Sequence, residues 1–315
     1  MTKDRVLIAI GGNAIHPTHR PGTVEQQIEF AVKTGNALLP ILTMDNQLVI
    51  THGNGPVVGK ILMRQILSRD AVPPMSMDVC VAHSQGGIAY LLMQNLENAL
   101  RNVGNPRHVV CLLTQVEVDP DDPAFTNPTK PVGSFYSERD AIDIGKKLGW
   151  TMKEDAGRGW RYVVPSPHPQ HIVDISLIET IANSGAVVIA GGGGGIPVVR
   201  NPDGTRRGVE AVIDKDLSSA HMANVLGIDT LMILTAVDKV YINFGKDNQQ
   251  ALGSISLHEV VTLFDNGEFA DGSMGPKVEA CINFLRGGGK RAVIAHLDDA
   301  AAALDGSAGT QITAH

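Results

Sequence analysis

Apolar residues along the chain fall into two alternating patterns. Short β-branched runs at Val6–Ile10, Leu48–Thr51, Val109–Thr114, Ala186–Ala190, Leu231–Thr235 and Ala292–Ala295 read as strands buried on both faces, the last of them closing the fold. Between them, apolar positions recur at helical spacing. Val24, Ile28, Ala31, Val32, Leu38 and Leu39 follow a capping box at Thr23 to Gln26, and Ile88, Leu91, Leu92, Leu96, Ala99 and Val103 follow Ser84-Gln-Gly-Gly87 and end at Gly104. Further helices are expected over 172–184, from Asp214 to Gly227, and behind Gly275-Pro276-Lys277, where Val278, Cys281, Ile282 and Leu285 share a face. Strands alternating with helices predict a mostly parallel sheet covered on both sides.

Three of the strands run directly into glycine. They are Val6–Ala14 (VLIAIGGNA), Leu48–Gly59 (LVITHGNGPVVG) and Ala186–Ile196 (AVVIAGGGGGI). Glycine adopts turns closed to other residues, and successive amides can converge on an anion. Ligands of open α/β sheets sit beyond the carboxyl ends of the strands, so three such loops are expected to line one phosphate-binding crevice.

The pattern lapses between Val116 and Gln170, a polar stretch holding seven of the 17 prolines. A structureless loop of that length inside a compact domain is anomalous, so an inserted subdomain or lid over 116–170 is expected. After the five glycines, the turn Asn201-Pro-Asp-Gly204 suggests a hairpin pairing 197–200 with 208–213.

Composition narrows the classes. The 315 residues carry a net charge of −7 and are 43% hydrophobic, which supports a sizeable core and disfavours nonspecific nucleic-acid binding. Cys80, Cys111 and Cys281 have no metal-type spacing, and neither a signal peptide nor a membrane span is expected, so the chain reads as cytoplasmic. The prolines in HPTH (His16, His19) and HPQH (His168, His171) make a metal site unpromising. Met75 and Met77 are assigned to packing, and Ser84 lacks the context of a nucleophile.

In an acidic chain, isolated cations carry information. Lys277 and Lys215 each sit in the first turn of a helix, where the dipole disfavours a cation by about 0.3–1 kcal/mol unless an anion docks there. Asp216, next to Lys215, can hold its ammonium, and one aspartate of Asp214-Lys215-Asp216 is expected to cap the helix. Lys130 is a third isolated cation, in a stretch read as a Pro/Gly-rich loop. Three lysines and three glycine loops suggest phosphoryl transfer, which needs positioning and charge neutralisation more than covalent chemistry. No P-loop, protein-kinase set or GxGxxG fingerprint is present, which sets aside those kinases and a dinucleotide oxidoreductase.

Nine segments taken in order resemble the carbamate kinases of the amino-acid-kinase superfamily: AIGGNA (9–14), THGNGPVVG (51–59), SQGGIAY (84–90), KPVGSFY (130–136), GWRYVVPSPHP (159–169), IAGGGGGIPV (189–198), GVEAVIDKDLSS (208–219), LTAVDKVYINFGK (234–246) and GSMGPKVEA (272–280). The resemblance implies a three-layer αβα sandwich around a mostly parallel sheet of about eight strands, with a protruding inserted subdomain. It implies a carbamate- and phosphoryl-binding lobe at 1–115 plus 171–185, a lid at 116–170, a nucleotide-binding lobe at 186–315, and a homodimer. The implied reaction is ATP plus carbamate giving ADP plus carbamoyl phosphate, run toward ATP in fermentative breakdown of arginine, purines or related nitrogen compounds. Lys130, Lys215 and Lys277 would contact the transferred phosphoryl group, with Asp216 orienting the lysines. Gly11, Gly12, Asn13, Gly53, Asn54, Gly55, Gly192, Gly193 and Gly194 would surround carbamate and the phosphoryl group. Ala236, Val237, Asp238, Tyr241, Met274 and Gly275 would border ATP or ADP, with Mg2+ held by phosphate oxygens and water rather than by side chains. The chain differs from many members at Ala236, Lys239, His83 and His168 while keeping every motif lysine. The competing readings are a superfamily kinase for another small carboxylate and a catalytically silent nucleotide-binding homologue.

Overall fold

A computed structural model describes residues 4–12, 22–155, 159–269 and 274–314. The chain begins with β1 (Asp4–Ile10), α1 (Val24–Leu42), β2 (Asn46–His52), α2 (Gly55–Ser68), α3 (Met77–Asn102) and β3 (Val109–Cys111). It continues through β4 (Gln115–Val118), β5 (Lys130–Tyr136), α4 (Glu138–Leu148), β6 (Met152–Glu154), β7 (Trp160–Val164) and β8 (Pro169–Ile172). Next come α5 (Ile175–Asn183), β9 (Val187–Ile189), β10 (Ile196–Arg200), β11 (Arg206–Gly208), α6 (Lys215–Val225) and β12 (Thr230–Thr235). The last part holds β13 (Val240–Ile242), β14 (Gln250–Leu252), β15 (Ser254–Ser256), α7 (Leu257–Asp265), α8 (Gly275–Arg286), β16 (Arg291–His296), α9 (Ala300–Asp305) and β17 (Thr310–Thr313).

Eight strands form the central sheet in the order β15-β17-β16-β12-β1-β2-β9-β3. The six from β16 to β3 are mutually parallel, while β17 runs antiparallel to β16 and β15 follows β17. The predicted αβα sandwich is therefore what the chain forms. Its continuous apolar runs have a direct cause, since alternate residues of one strand feed opposite cores. Leu7, Ala9 and Val49 face a core built with α5, α6, α7 and α8. Val6, Ile8, Ile10, Leu48 and Ile50 face a second core built with α1, α3 and α9. Full burial of each such side chain contributes about 1.5–3 kcal/mol relative to exposure.

The expected insertion has its own structure. Strands β5, β7 and β6 form an antiparallel three-stranded sheet, on which α4 packs. The Trp150 and Tyr162 rings stack there at 4.1 Å. Its flanking strands β4 and β8 join β10 and β11 in a four-stranded sheet. A third cluster, with Val58, Cys80, Val81, Val132, Val164 and Val212 at its centre, fastens the insertion to α2 and α3. Met77 is buried in it and Met75 packs against it, as their assignment to packing requires.

Four expectations need correction. Helix α3 starts at Met77, so Ser84-Gln-Gly-Gly87 lies within it rather than before it. Its start is capped from far along the chain, with the Met77 amide donating to both carboxylate oxygens of Glu210 at 3.2 Å. Gly86 and Gly87 are exposed within the helix, each at a cost of about 1 kcal/mol. The hairpin is real, but its second strand is Arg206–Gly208 rather than 208–213. Lys130 opens strand β5 and is not a loop residue. Finally, β17 follows the strand expected to be last, and its polar sequence hid it: buried Gln311 donates to the carbonyls of Ala303 and Ala308 at 3.0 and 2.7 Å.

Candidate active site

The parallel register brings the carboxyl ends of β1, β2 and β12 level, since Ile10 lies opposite both His52 and Leu234. The loops that follow interlock. The Gly11 amide donates to the Leu234 carbonyl at 2.8 Å, and the Gly53 amide to the Ile10 carbonyl at 2.9 Å. A Cβ on Gly53 would lie 2.7 Å from the Gly12 nitrogen, so the two turns approach this closely only with glycine at 53. Asn13 falls outside the described residues.

The five-glycine loop is buried. It threads between neighbours that leave no room for a side chain: a Cβ on Gly192 would lie 2.4 Å from His52 Nε2, and one on Gly193 2.2 Å from Asn54 Nδ2. Gly193 and Gly194 also have φ of 66° and 91°. Three of the five amides are already engaged. Gly191 donates to Thr114 Oγ1 at 2.8 Å, Gly194 to the Gly191 carbonyl at 3.0 Å, and Gly195 to the Gly192 carbonyl at 3.1 Å. The expectation of five converging amides thus narrows to Gly192 and Gly193.

Two residues given no bracing role from the sequence hold this loop and the Asn54 turn beside it. Gln85 donates to the carbonyls of Gly192 and Thr114 at 2.8 and 3.2 Å and accepts the Thr114 amide at 3.0 Å. Ser84 accepts from Asn54 Nδ2 at 2.8 Å and donates to the Val81 carbonyl at 2.6 Å, so its hydroxyl is a brace rather than a nucleophile. The only linear signal for either was two polar residues at positions that prove fully buried.

Helix α6 brings the charged groups. Asp214 caps it, accepting the amides of Asp216 and Leu217 at 2.8 and 3.3 Å, while its second oxygen pairs with Lys130. Asp216 Oδ1 pairs with Lys215 at 2.5 Å and Oδ2 with Lys277 at 3.1 Å. Lys277 comes from the first turn of α8, so the three lysines and two aspartates form one cluster. Thr51 at the end of β2 is within 2.6 Å of Ser219 Oγ, which in turn reaches the Lys215 carbonyl at 2.6 Å, tying α6 to the sheet.

Burial and charge compete in this cluster. Burial alone would raise the Asp216 carboxyl, but Lys215 and Lys277 outweigh it and hold it well below the carboxylate range. Asp214 is also pulled down, by Lys130 against burial and the nearby Asp216. Burial lowers the Lys215 ammonium despite Asp216, whereas Asp216 raises Lys277. His52 is pushed down to about 4, chiefly by burial, with the Gly53 carbonyl opposing and Lys215 adding to the shift. Its ring is neutral at physiological pH.

Ala236, Val237 and Asp238 follow β12 directly, beside the Gly11 turn. The Tyr241 hydroxyl donates to Asp238 Oδ1 at 2.9 Å. The Met274 carbonyl accepts the amides of Lys277 and Val278, and Gly275 opens α8, which sets both beside Lys277. Gly55 opens α2, directly after Asn54. Of the histidine pairs, His16 and His19 lie outside the described residues, while the His168 amide and ring face Asp122.

Residues 4–296 match the family model described as the amino acid kinase family. A carbamate kinase from Pyrococcus horikoshii is 46% identical over 312 residues, covering 98% of this chain and 99% of that protein. The chain belongs to the carbamate kinases of the amino acid kinase family. Among other carbamate kinases, that of Thermococcus kodakarensis is 47% identical over 98% of both chains. A solved structure of the Giardia lamblia carbamate kinase bound to AMP-PNP superposes with a TM-score of 0.90 at 42% identity over 99% of each chain. Family and fold thus agree with the resemblance read from the nine segments.

Proposed function

We propose that the chain catalyses reversible phosphoryl transfer between ATP and carbamate, giving ADP and carbamoyl phosphate. The observation that carries this is the convergence of Lys130, Lys215 and Lys277 on two aspartates beside the glycine turns. The likeness to carbamate kinases, one of them bound to an ATP analogue, supports the choice of nucleotide and acceptor.

A carbamate oxygen attacks the γ-phosphorus as the bond to the β–γ bridging oxygen breaks, and that electron pair leaves with ADP. The lysine ammonium groups neutralise the charge spread over the phosphoryl oxygens. Asp216 holds Lys215 and Lys277 in a fixed geometry, and Asp214 does the same for Lys130. The turns at Gly11–Gly12 and Gly53–Asn54–Gly55, with Asn13, the Gly192–Gly194 loop and the amides of Gly192 and Gly193, surround the acceptor and the moving group. Residues Ala236, Val237, Asp238, Tyr241, Met274 and Gly275 border the nucleotide.

No protein nucleophile is needed, so transfer is direct. The Cys281 thiol, one helical turn beyond Lys277, is pushed far up by burial and stays protonated. The donor set suits Mg2+ that arrives with the nucleotide, since both aspartates are engaged by lysines. Such an ion supplies further neutralisation of phosphate charge.

A homodimer is part of the same reading. It is supported by exposed Val79 and Tyr90 flanking Gly86 and Gly87 on α3, and by exposed Leu113 beyond edge strand β3. No helix among the described residues is long and apolar enough to cross a membrane. We place the enzyme in the cytoplasm, making ATP from carbamoyl phosphate in nitrogen catabolism.

The test is ATP formation from ADP, Mg2+ and carbamoyl phosphate. Wild type is expected to produce ATP, and Lys277→Ala to lose at least about 10²-fold in rate, the usual cost of removing one charge-stabilising donor. A wild type that binds nucleotide yet forms no ATP overturns the choice of acceptor.

A further inference from the structure

The geometry points to a backbone contact between Gly59 and Gly133 as the joint that sets Lys130 in the active site. The inference rests on the reading of Lys130 as a phosphoryl-contacting lysine and adds two positioning residues that touch no substrate.

Gly59 lies on α2, one turn beyond the Gly53–Asn54–Gly55 turn. Gly133 lies on β5, three residues after Lys130. A Cβ on Gly59 would sit 2.1 Å from Gly133 Cα, 2.5 Å from its nitrogen and 3.3 Å from its carbonyl carbon, all of them backbone atoms that cannot swing aside. Gly133 has φ of 76°, a conformation closed to most residues, and the β5–β7 register shifts between Val132 and Tyr136. The opposite side of this turn is braced. Arg161 donates to the Gly133 carbonyl at 3.0 Å, pairs with Asp155 at 3.1 Å and stacks over the Phe135 ring at 5.0 Å from its centroid. Val132, beside Gly133, is buried against Val58 and its neighbours.

The joint therefore connects the two halves of the site. Helix α2 carries the acceptor-side turn at its N-terminus, and β5 carries Lys130 at its start. Lys130 reaches Asp214 only if β5 sits at this distance from α2. A methyl on Gly59 must push the backbones apart by more than an ångström, and misplacement of about 1 Å can cost of order 10²-fold in rate. Nucleotide contacts from the body of the fold should not feel it.

The experiment is a cycle of Gly59→Ala and Lys130→Ala. It reads kcat for ATP formation, ADP affinity, thermal stability, and the rate at which an amine-reactive reagent labels Lys130, followed by mass spectrometry. Gly59→Ala is expected to lower kcat by about 10- to 100-fold with ADP affinity within about twofold of wild type. Lys130 should label faster, with Lys215 labelling unchanged. In the Lys130→Ala background, Gly59→Ala should cost less than about threefold, because the two act through one ammonium. Unchanged Lys130 labelling, or losses that multiply in full, overturns the joint. Full activity in Lys130→Ala alone, with faster labelling in Gly59→Ala, overturns the role of Lys130 and leaves the joint standing. Should Gly59→Ala not fold, Val132→Ala loosens the same joint, and the same labelling and non-additivity are expected at smaller size; their absence overturns the proposal.

Discussion

Asp214 and Asp216 are two residues apart at the start of one helix, and each holds lysine. They do so under very different conditions. Asp216 is 5% exposed, and its partners Lys215 and Lys277 come from α6 and α8, which pack on each other in the body of the fold. Asp214 receives Lys130, whose side chain is 29% exposed and which arrives on a strand of the insertion. One pairing is fixed by the core, and the other depends on how two units are seated. The same chemistry is thus divided between the body of the fold and the insertion, and the two parts should fail differently.

The sharpest break is Asp216→Asn. Removing the charge leaves buried Lys215 without its counterion, and unpaired buried charges cost about 3–5 kcal/mol. Chemical denaturation should show that loss together with loss of ATP formation. A stability change below about 1 kcal/mol would mean that Asp216 is not the anchor.

The second prediction concerns acid. Unfolded His52 takes up a proton near pH 6.5, while in the fold it does so only near 4. Protons are therefore gained on unfolding between these values, and stability must fall as pH drops across that window, by roughly 3 kcal/mol. His52→Asn should flatten the slope of unfolding free energy over that range. His221, shifted in the same direction, leaves a residual slope in both proteins. An unaltered slope in His52→Asn would place the acid sensitivity elsewhere.

Asp214→Asn tests the other half. Asparagine still caps α6, so little more than the partly buried pairing with Lys130 is lost, and stability should fall by less than in Asp216→Asn. Activity should nevertheless fall toward that of Lys130→Ala. If Asp214→Asn unfolds as readily as Asp216→Asn, the two pairings are not different in kind. The smallest effect belongs to Glu117→Gln on the four-stranded sheet. Glu117 there accepts from half-exposed Arg200 and from Arg206, and surface pairs contribute about 0–1 kcal/mol. Its loss should leave both stability and ATP formation nearly unchanged.

Much of this was legible in the linear pattern, for identifiable reasons. Strands that feed two cores must be apolar at consecutive positions, so β1, β2, β9, β12 and β16 stand out. Turns with no room for a Cβ must be glycine, so the crevice announced itself at Gly53 and at Gly192 to Gly195. Lysines in first turns of helices stood out because the dipole disfavours them there. Contacts made across long separations did not show. The cap that starts α3 is supplied by Glu210, the brace on the glycine loop is Gln85, and Lys130 meets Asp214 across 84 positions. Strand β17 escaped because its buried polar donors, Thr310 Oγ1 and Gln311 Nε2, find carbonyls that only the fold brings near.

The stack of Trp150 on Tyr162 has a practical corollary. The chain has two tryptophans, Trp150 and Trp160, and both belong to the insertion. Intrinsic tryptophan emission from this protein is therefore a local signal. It reports how the small sheet is packed and hydrated and is silent about the eight-stranded body. Unfolding followed by fluorescence and unfolding followed by far-ultraviolet circular dichroism will trace different parts of one molecule. Where the two curves separate, the gap between them measures how independently the insertion opens.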